Sequence, residues 1–299
     1  MSHHHHEHTT PESGSRLAIV VGLNLTITVA EIIGGLVSGS LSLISDALHN
    51  LSDAVAVVIA WVAIRLNKRP RDDHYTFGLK RAQLLAAVFN SGVLVAVSLY
   101  LFVEAWKHFV NPEPISGVIM TSVAGIGLVA NILGTWLLAR GSKENMNLRA
   151  AYLHLFSDAI SSIGVIIGGL AIMFFNITWV DPLLTVLIGV YILRESWNIL
   201  WESIKIIMEA VPHEISLPEV RKAVLANEGV EGLHHVHVWQ VDEHDIHFEG
   251  HIELNDQLLS ETEPICDAIR ATLHDKFDIE HVTLQIEALQ CDCDTKVLA

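Results

Sequence analysis

The sequence predicts an α-helical membrane protein in which a bundle of six transmembrane helices is followed by a cytoplasmic α+β domain. Three observations support this. First, 51% of the 299 residues are hydrophobic and only 17% are charged, whereas soluble domains carry about 25% charged residues. Second, six apolar runs are each long enough to cross a hydrocarbon core of about 30 Å. Third, the long apolar runs end after residue 208, and the apolar residues that follow recur at the spacing of strands and amphipathic helices.

Turn-forming segments separate the six predicted spans, as expected for short connections between helices. The predicted spans cover residues 17–37, 43–66, 84–109, 115–139, 148–175 and 179–199. The loop after the second span and the loop after the fourth are rich in lysine and arginine, whereas the opposite loops carry almost none beyond Lys107. Because basic loops stay in the cytoplasm, we expect both termini to be cytoplasmic.

The last 92 residues combine alternating strands with amphipathic helices in the order αββαβ, which suggests a ferredoxin-like half-sandwich. In the segment DIHFEGHIEL, His247, Glu249, His251 and Glu253 share one face, opposite the apolar positions. We therefore divide the chain into a histidine-rich cytoplasmic tail at 1–15, a transport domain at 16–208 and a cytoplasmic metal-binding and dimerisation domain at 209–299. The histidines of the tail suit either a natural metal-binding segment or a remnant of cloning.

Net charge and cysteine content narrow the function classes. Of the net charge of −16, the segment from Met208 to Ala299 contributes 5 − 20 = −15 and the remainder 13 − 14 = −1. Such an acidic domain attracts cations and argues against nucleic acid as a partner. The three cysteines form no disulfide framework, which favours a reducing compartment.

Two apolar spans carry the same pair of metal-ligating residues. His49 and Asp53 lie four residues apart in the second span, and His154 and Asp158 repeat this spacing in the fifth. Residues i and i+4 lie on one helix face, so two helices supply two nitrogen and two oxygen ligands, a tetrahedral set suited to zinc-like ions. The alternative is a helix-packing hydrogen bond in each pair, but ionisable residues inside a membrane usually have a function.

Several segments together resemble the cation diffusion facilitators, including their zinc-transporting members. The resemblance covers nearly the whole chain and depends on SLSLISDALHNLSDAVA, RPRDDHYTFGLKRAQLLAAVFN, LRAAYLHLFSDAISSIGVI, GLHHVHVWQ and HVTLQIE. It implies six membrane helices, a metallochaperone-like cytoplasmic domain, a homodimer in the lipid bilayer of the bacterial inner membrane, and export of divalent metal against protons. It also implies that His49, Asp53, His154 and Asp158 form the transport site.

The resemblance further implies metal binding outside the membrane. In the cytoplasmic domain His234, His251 and Glu287 match metal-binding positions, and Cys291 and Cys293 offer thiolate ligands beside them. A hydrated strand face is the alternative, and His235, His237, His244 and His247 are close enough in sequence to substitute. The loop after the second span keeps Asp72, Asp73 and His74, but Tyr75 and Leu79 stand where the family has histidines, so a solvated acidic loop is the alternative there. Arg81 and Glu209 match a basic–acidic pair of the family.

We therefore predict a secondary active transporter that exports divalent cations, most readily Zn²⁺, in exchange for protons. Cobalt, cadmium, nickel or iron are alternative substrates, because affinity alone discriminates poorly among these metals. A membrane-tethered metal sensor is a second alternative, although one helix would suffice as its anchor. An enzymatic function is not expected, because an intramembrane metalloprotease needs a motif such as HExxH, which the chain lacks.

Overall fold

The computed structural model describes residues 11–67, 72–139, 146–242 and 245–289. Within these ranges the predicted order of six long helices followed by αββαβ is confirmed. The helices and strands are α1 Pro11–Ser38, α2 Leu41–Asn67, α3 Arg81–Val110, α4 Gly117–Leu138, α5 Met146–Phe175, α6 Val180–Ile207, α7 Leu217–Leu225, β1 Val230–Gln240, β2 Ile246–Leu254, α8 Leu259–Phe277 and β3 His281–Ala288. Residues 1–10 of the predicted tail lie outside the described ranges, and residues 11–15 belong to α1.

Two compact units divide the chain. The first holds residues up to 59 together with 89–198, and the second holds residues 60–88 together with 199–299. In the described part of the chain, four helical segments are both long and apolar enough to cross a membrane, namely Arg81–Val110, Gly117–Leu138, Tyr152–Phe175 and Val180–Ile207. Helix α2 spans 27 residues and carries the serines, asparagine, aspartates and histidine of its SLSLISDALHNLSDA segment in its first half.

Close approach of α4 and α5 organises the first unit. A Cβ atom added to Gly117 would lie 2.6 Å from the carbonyl oxygen of Gly169, so only glycine permits this contact between the two backbones. Small residues are the usual means by which membrane helices pack closely. Leu43 of α2 and Met120 of α4 fill the adjoining core without any exposed surface.

The small domain has a three-stranded sheet in the order β1-β2-β3, with β1 antiparallel and β3 parallel to β2. Helices α7 and α8 pack on one face of this sheet through Val220, Val224, Ile269 and Leu273. Phe248 and Ile252 of β2 are fully buried against them. The alternation predicted for β2 is thus confirmed, and it leaves the histidines and glutamates of β2 on the opposite face.

A β-bulge in β1 reverses the alternation of its side chains. The register shifts between His234 and His237, and His235 adopts a left-handed conformation with φ of 52°. As a result Leu233 and Val238, five positions apart, both enter the core and pair with Ile252 and Phe248. A strand without a bulge would place them on opposite faces.

His247 departs from the open polar face that the sequence predicts. It is only 7% exposed, and its ring lies 4.4 Å from that of His281, 5.4 Å from Trp239 and 5.6 Å from Phe77. Aromatic neighbours cover this end of the sheet, which the alternating pattern of one strand does not reveal.

Candidate metal centres

The first candidate centre lies in the first unit, between α2 and α5. His49 and Asp53 come from α2, and His154 and Asp158 come from α5. In each pair the two residues are separated by four positions, so one helical turn stacks them on the face directed at the other helix. The structure therefore brings together the four side chains that the sequence predicts to form the transport site.

Three distances between these ligand atoms match those of a tetrahedral cation site. Asp53 Oδ2 lies 3.6 Å from His49 Nε2 and 3.4 Å from His154 Nε2. His154 Nε2 lies 3.4 Å from Asp158 Oδ2. A tetrahedral zinc ion with bonds of about 2.1 Å holds its ligand atoms about 3.4 Å apart. The ligand atoms of His49, Asp53 and His154 all lie within 4.8 Å of one another, and Asp158 adjoins this group through His154.

The same distances argue against the simpler interpretation of these pairs. Hydrogen bonds between nitrogen and oxygen are about 2.7–3.2 Å long, and the three separations of 3.4–3.6 Å exceed that range. The Oδ2 atoms of Asp53 and Asp158 are buried and have no hydrogen-bond partner within the described ranges. Buried carboxylate oxygens that point at imidazole nitrogens without bonding to them are suited to share a cation.

Residues from α6 and one further residue of α2 complete the surroundings, and sequence reasoning did not identify them. The Tyr191 ring lies 5.8 Å from that of His49, and Tyr191 interacts with Glu195 one turn later. Asp46 and Glu195 both interact electrostatically with His49. For Asp46 the signal was present in the sequence, since it precedes His49 by three residues on the same helix, whereas no local pattern places Tyr191 and Glu195 beside this site.

The second candidate centre lies on the open face of the small sheet. Glu287 contacts two histidines through different oxygens, with Oε2 lying 3.0 Å from His234 Nε2 and Oε1 lying 2.8 Å from His251 Nδ1. The bulge in β1 directs His234 to this face, opposite Leu233. The ligand atoms of these three residues all lie within 4.8 Å of one another. A nitrogen–nitrogen–oxygen set of this kind suits zinc.

Glu253 and Gln285 extend this second centre. Glu253 Oε1 lies 3.5 Å from His234 Nε2, which makes it a fourth ligand candidate that the sequence did not single out. Gln285 Nε2 donates a hydrogen bond of 2.8 Å to Glu287 Oε1. Burial disfavours ionisation of Glu287, but the hydrogen bonds from Gln285 and His251, together with the nearby imidazoles, outweigh it and lower the pKa of this carboxyl. Glu287 is therefore ionised at neutral pH and can serve as a carboxylate ligand.

The remaining predicted ligands have different placements. Asp72, Asp73 and His74 are exposed, and Asp72 Oδ1 accepts hydrogen bonds from the backbone N–H groups of His74 and Tyr75. This turn does not gather the three ligand atoms within 4.8 Å of one another. Metal binding there stays a prediction. Cys291, Cys293 and His244 lie outside the described residues.

Other histidines line the second centre, and the predicted basic–acidic pair is present. The His235 ring lies 4.7 Å from that of His251, near enough to serve as an alternative ligand, and 4.9 Å from that of His237. In the second unit Arg81 donates a hydrogen bond of 2.9 Å to Glu209.

Helices that can span a membrane, with a candidate cation site between two of them, are typical of an integral membrane transporter of metal cations. Comparison with known proteins gives the same class: residues 17–208 match the cation efflux transmembrane domain, and residues 212–289 match the cytoplasmic domain of cation efflux proteins. The chain belongs to the cation efflux family, also called the cation diffusion facilitators.

Similar curated proteins extend over nearly the whole chain. The metal cation efflux system protein CzcD of Cupriavidus metallidurans is 38% identical over 96% of this chain and 91% of its own length. The zinc transporter ZitB of Pectobacterium atrosepticum is 39% identical over 97% of this chain and 91% of its own length. A cadmium, cobalt and zinc/H⁺-K⁺ antiporter of Bacillus subtilis is 35% identical over 100% and 96%. Among solved structures, the metal-bound C-terminal domain of the Cupriavidus CzcD transporter is 34% identical and covers 24% of this chain and 99% of its own, with a TM-score of 0.23.

Proposed function

We propose that this protein is a secondary active transporter that exports Zn²⁺ from the cytoplasm in exchange for protons. The observation that carries the proposal is the arrangement of His49, Asp53, His154 and Asp158. The ligand atoms of the pairs His49–Asp53, His154–Asp53 and His154–Asp158 lie 3.4–3.6 Å apart. Two imidazole nitrogens and two carboxylate oxygens suit zinc better than magnesium or calcium, which prefer oxygen alone.

Proton coupling follows from the chemistry of these ligands. Imidazole and carboxylate bind a metal ion only after they lose their protons, so arrival of the metal releases protons. A high proton concentration on the far side of the membrane then favours release of the metal. A bundle that exposes the same site alternately to the two sides exchanges one for the other.

The remaining parts of the proposal concern organisation. The chain is divided into a tail at 1–15, a transport domain at 16–208 and a cytoplasmic domain at 209–299. It works as a homodimer in the lipid bilayer of the bacterial inner membrane, with both termini in the cytoplasm. His234, His251 and Glu287 bind zinc on the cytoplasmic domain. The matched cytoplasmic domain family, the basic loops around spans two and four, and the bacterial relatives support these assignments.

The test is metal flux into vesicles that contain the purified full-length protein. We expect an acidic interior to drive zinc inward and inward zinc movement to release protons. Asp158→Ala removes one of four ligands, and should weaken zinc transport by more than about 100-fold, since even residues that only support a ligand change affinity 10–100-fold. The matched control is Glu202→Ala, which removes an exposed carboxylate of α6 that pairs with Lys205.

Wild-type flux in Asp158→Ala would refute the four-ligand site, provided that the variant elutes as the wild-type dimer. Zinc flux that neither responds to a pH gradient nor moves protons would refute antiport. Absence of any metal flux in the wild-type protein would favour a tethered sensor. Competition by cadmium and cobalt, which the name of the Bacillus relative includes, measures selectivity in the same vesicles.

A further inference from the structure

Glu195 is an exposed acidic residue near the end of the sixth predicted span. It lies on α6, four residues before residue 199, where that span ends. An ionisable side chain in a membrane segment is costly where it meets lipid, and such side chains face the interior of a bundle or a cavity that holds water. We therefore expect the exposed surface of Glu195 to lie beside water.

Glu195 is also within electrostatic reach of three of the four candidate ligands. It interacts electrostatically with His49 and Asp53 of α2 and with Asp158 of α5. The side chain of Asp158 is only 4% exposed, whereas that of Asp53 is 35% exposed, so the centre is closed on one side and open on another. A residue at the entrance to this centre needs both exposure and electrostatic reach, and Glu195 has both.

Tyr191 holds Glu195 beside the centre. The two residues are one helical turn apart on α6, a spacing at which side chains meet, and the Tyr191 hydroxyl is hydrogen-bonded to Glu195 and to Ser157 of α5. Since a carboxylate only accepts hydrogen bonds, this hydroxyl donates to Glu195 and accepts from Ser157. The Tyr191 ring lies 5.8 Å from that of His49. One side chain thus links the Glu195 carboxylate to α5 and covers a ligand of α2.

Charge balance separates the role of Glu195 from that of the four ligands. Two neutral imidazoles and two carboxylates match the charge of one divalent cation at the centre. Glu195 adds a negative charge that neutralisation of the bound ion does not require. A fixed charge at the mouth of a cleft with walls of low dielectric constant raises the local concentration of oppositely charged ions and the rate of their arrival. The charge of Glu195 therefore acts on the incoming cation.

We propose that Glu195 is the entrance residue of the transport path, whose carboxylate attracts Zn²⁺ from water toward the four-ligand centre, and that Tyr191 is its positioning residue. This inference rests on the proposed function and adds a step that precedes binding at the centre. In the proposed orientation α6 ends in the cytoplasm. Glu195 then lies on the cytoplasmic side of Tyr191, which is the side from which an exporter receives its ion.

The test is initial zinc uptake, over a range of external zinc concentrations, by vesicles that contain the purified full-length protein and have an acidic interior. External zinc enters through molecules whose cytoplasmic side faces outward. Glu195→Gln keeps the shape of the side chain and removes its charge. We expect its KM for zinc to rise about three- to tenfold, as for one charge acting on a divalent ion across several ångströms of water. The maximal rate should stay within about twofold of wild type, because the ligands of the centre are intact.

Two further measurements separate electrostatic attraction from a structural role. Choline chloride at about 0.5 M shortens the screening length to about 4 Å, so the difference in KM between wild type and Glu195→Gln should shrink. Glu195→Asp keeps the charge and should keep the wild-type KM to within about twofold. Tyr191→Phe keeps the ring but loses the hydroxyl, and should raise the KM by a smaller factor than Glu195→Gln. The matched control is Glu202→Gln, an exposed carboxylate of the same helix that pairs with Lys205, which should leave the KM unchanged.

Three outcomes would overturn the inference while leaving transport intact. The first is a wild-type KM in Glu195→Gln. The second is a rise in KM that is the same at low and high ionic strength, which would indicate a structural role. The third is a maximal rate in Glu195→Gln as low as that expected for Asp158→Ala, which would make Glu195 a ligand of the centre itself. Absence of zinc uptake by the wild-type protein would instead refute the transport proposal, and this inference with it.

Discussion

Replacement of Asp181 by alanine should destabilise the membrane unit far more than loss of one ordinary contact. Asp181 lies in the first turn of α6 with no exposed surface. Its Oδ2 atom accepts a hydrogen bond of 2.9 Å from the backbone N–H of Leu41. Its Oδ1 atom accepts bonds from the Ser42 N–H at 3.2 Å and from the hydroxyls of Ser40 and Ser42, each at 2.6 Å. One carboxylate therefore caps the N-terminus of α2, where negative charge is favoured.

The magnitude follows from the donors that alanine would leave unpaired. The two hydroxyls lie 3.2 Å apart, so one can donate to the other, which leaves one hydroxyl and the two backbone N–H groups without an acceptor. An unsatisfied buried group costs about 1–3 kcal/mol, which gives a total loss of about 3–9 kcal/mol. The unfolding free energy of Asp181→Asn should lie between those of the wild type and Asp181→Ala, because the asparagine amide keeps one acceptor oxygen but directs its N–H₂ group toward a donor.

The assay is equilibrium unfolding of the full-length protein in mixed micelles. Thr185→Ala is the matched control, since Thr185 is also buried on α6 but donates only to the Asp181 carbonyl within its own helix, and should cost no more than about 1 kcal/mol. Equal destabilisation by Asp181→Ala and Thr185→Ala would refute the reasoning. Zinc affinity offers a second readout, because α2 carries His49 two turns after the capped end.

Two further predictions concern the second unit. In a full-length Asp158→Ala background, calorimetry should detect zinc binding that the further substitution His251→Ala removes. The control is His274→Ala, which replaces an exposed histidine of α8 and should leave this binding intact. Retained zinc binding in His251→Ala would show that the cytoplasmic centre is elsewhere. A double-mutant cycle on Arg81→Ala and Glu209→Ala, measured by thermal unfolding, should give a coupling free energy below about 1 kcal/mol, because these side chains are 41% and 58% exposed. A larger coupling free energy would mean that the pair is desolvated in the working protein.

The fold was predictable to the extent that periodicity and length determine it. Six apolar runs and the change to period-two alternation after residue 208 predicted all eleven elements in order. The ends of the helices were less predictable. Helix α1 begins at Pro11 and α6 continues to Ile207, whereas the apolar runs suggested 17 and 199, because helices extend beyond the apolar segment that marks them.

The candidate sites were predictable where spacing along one element determines the geometry. The repeated interval between histidine and aspartate on α2 and α5 predicted which side chains meet. Strand parity could not orient His234, since it shares parity with Val236 and Val238 and the bulge at His235 lies between them. Tyr191 and Glu195 were missed because their approach depends on the packing of α6, which no local pattern in the sequence specifies.

The polar residues concentrated in α2 have a structural role, because they bond this helix to its neighbours. Asp46 accepts a hydrogen bond of 2.6 Å from Ser161 of α5, and Asn50 donates one to Glu31 of α1. The N-terminus of α2 is bonded to Asp181 of α6. These contacts fix the position and rotation of α2 against three helices, and a rotation of one residue would direct His49 and Asp53 away from His154. A site whose ligand atoms must stay within a few tenths of an ångström requires such support, so the polar residues of α2 also hold its candidate metal ligands in place.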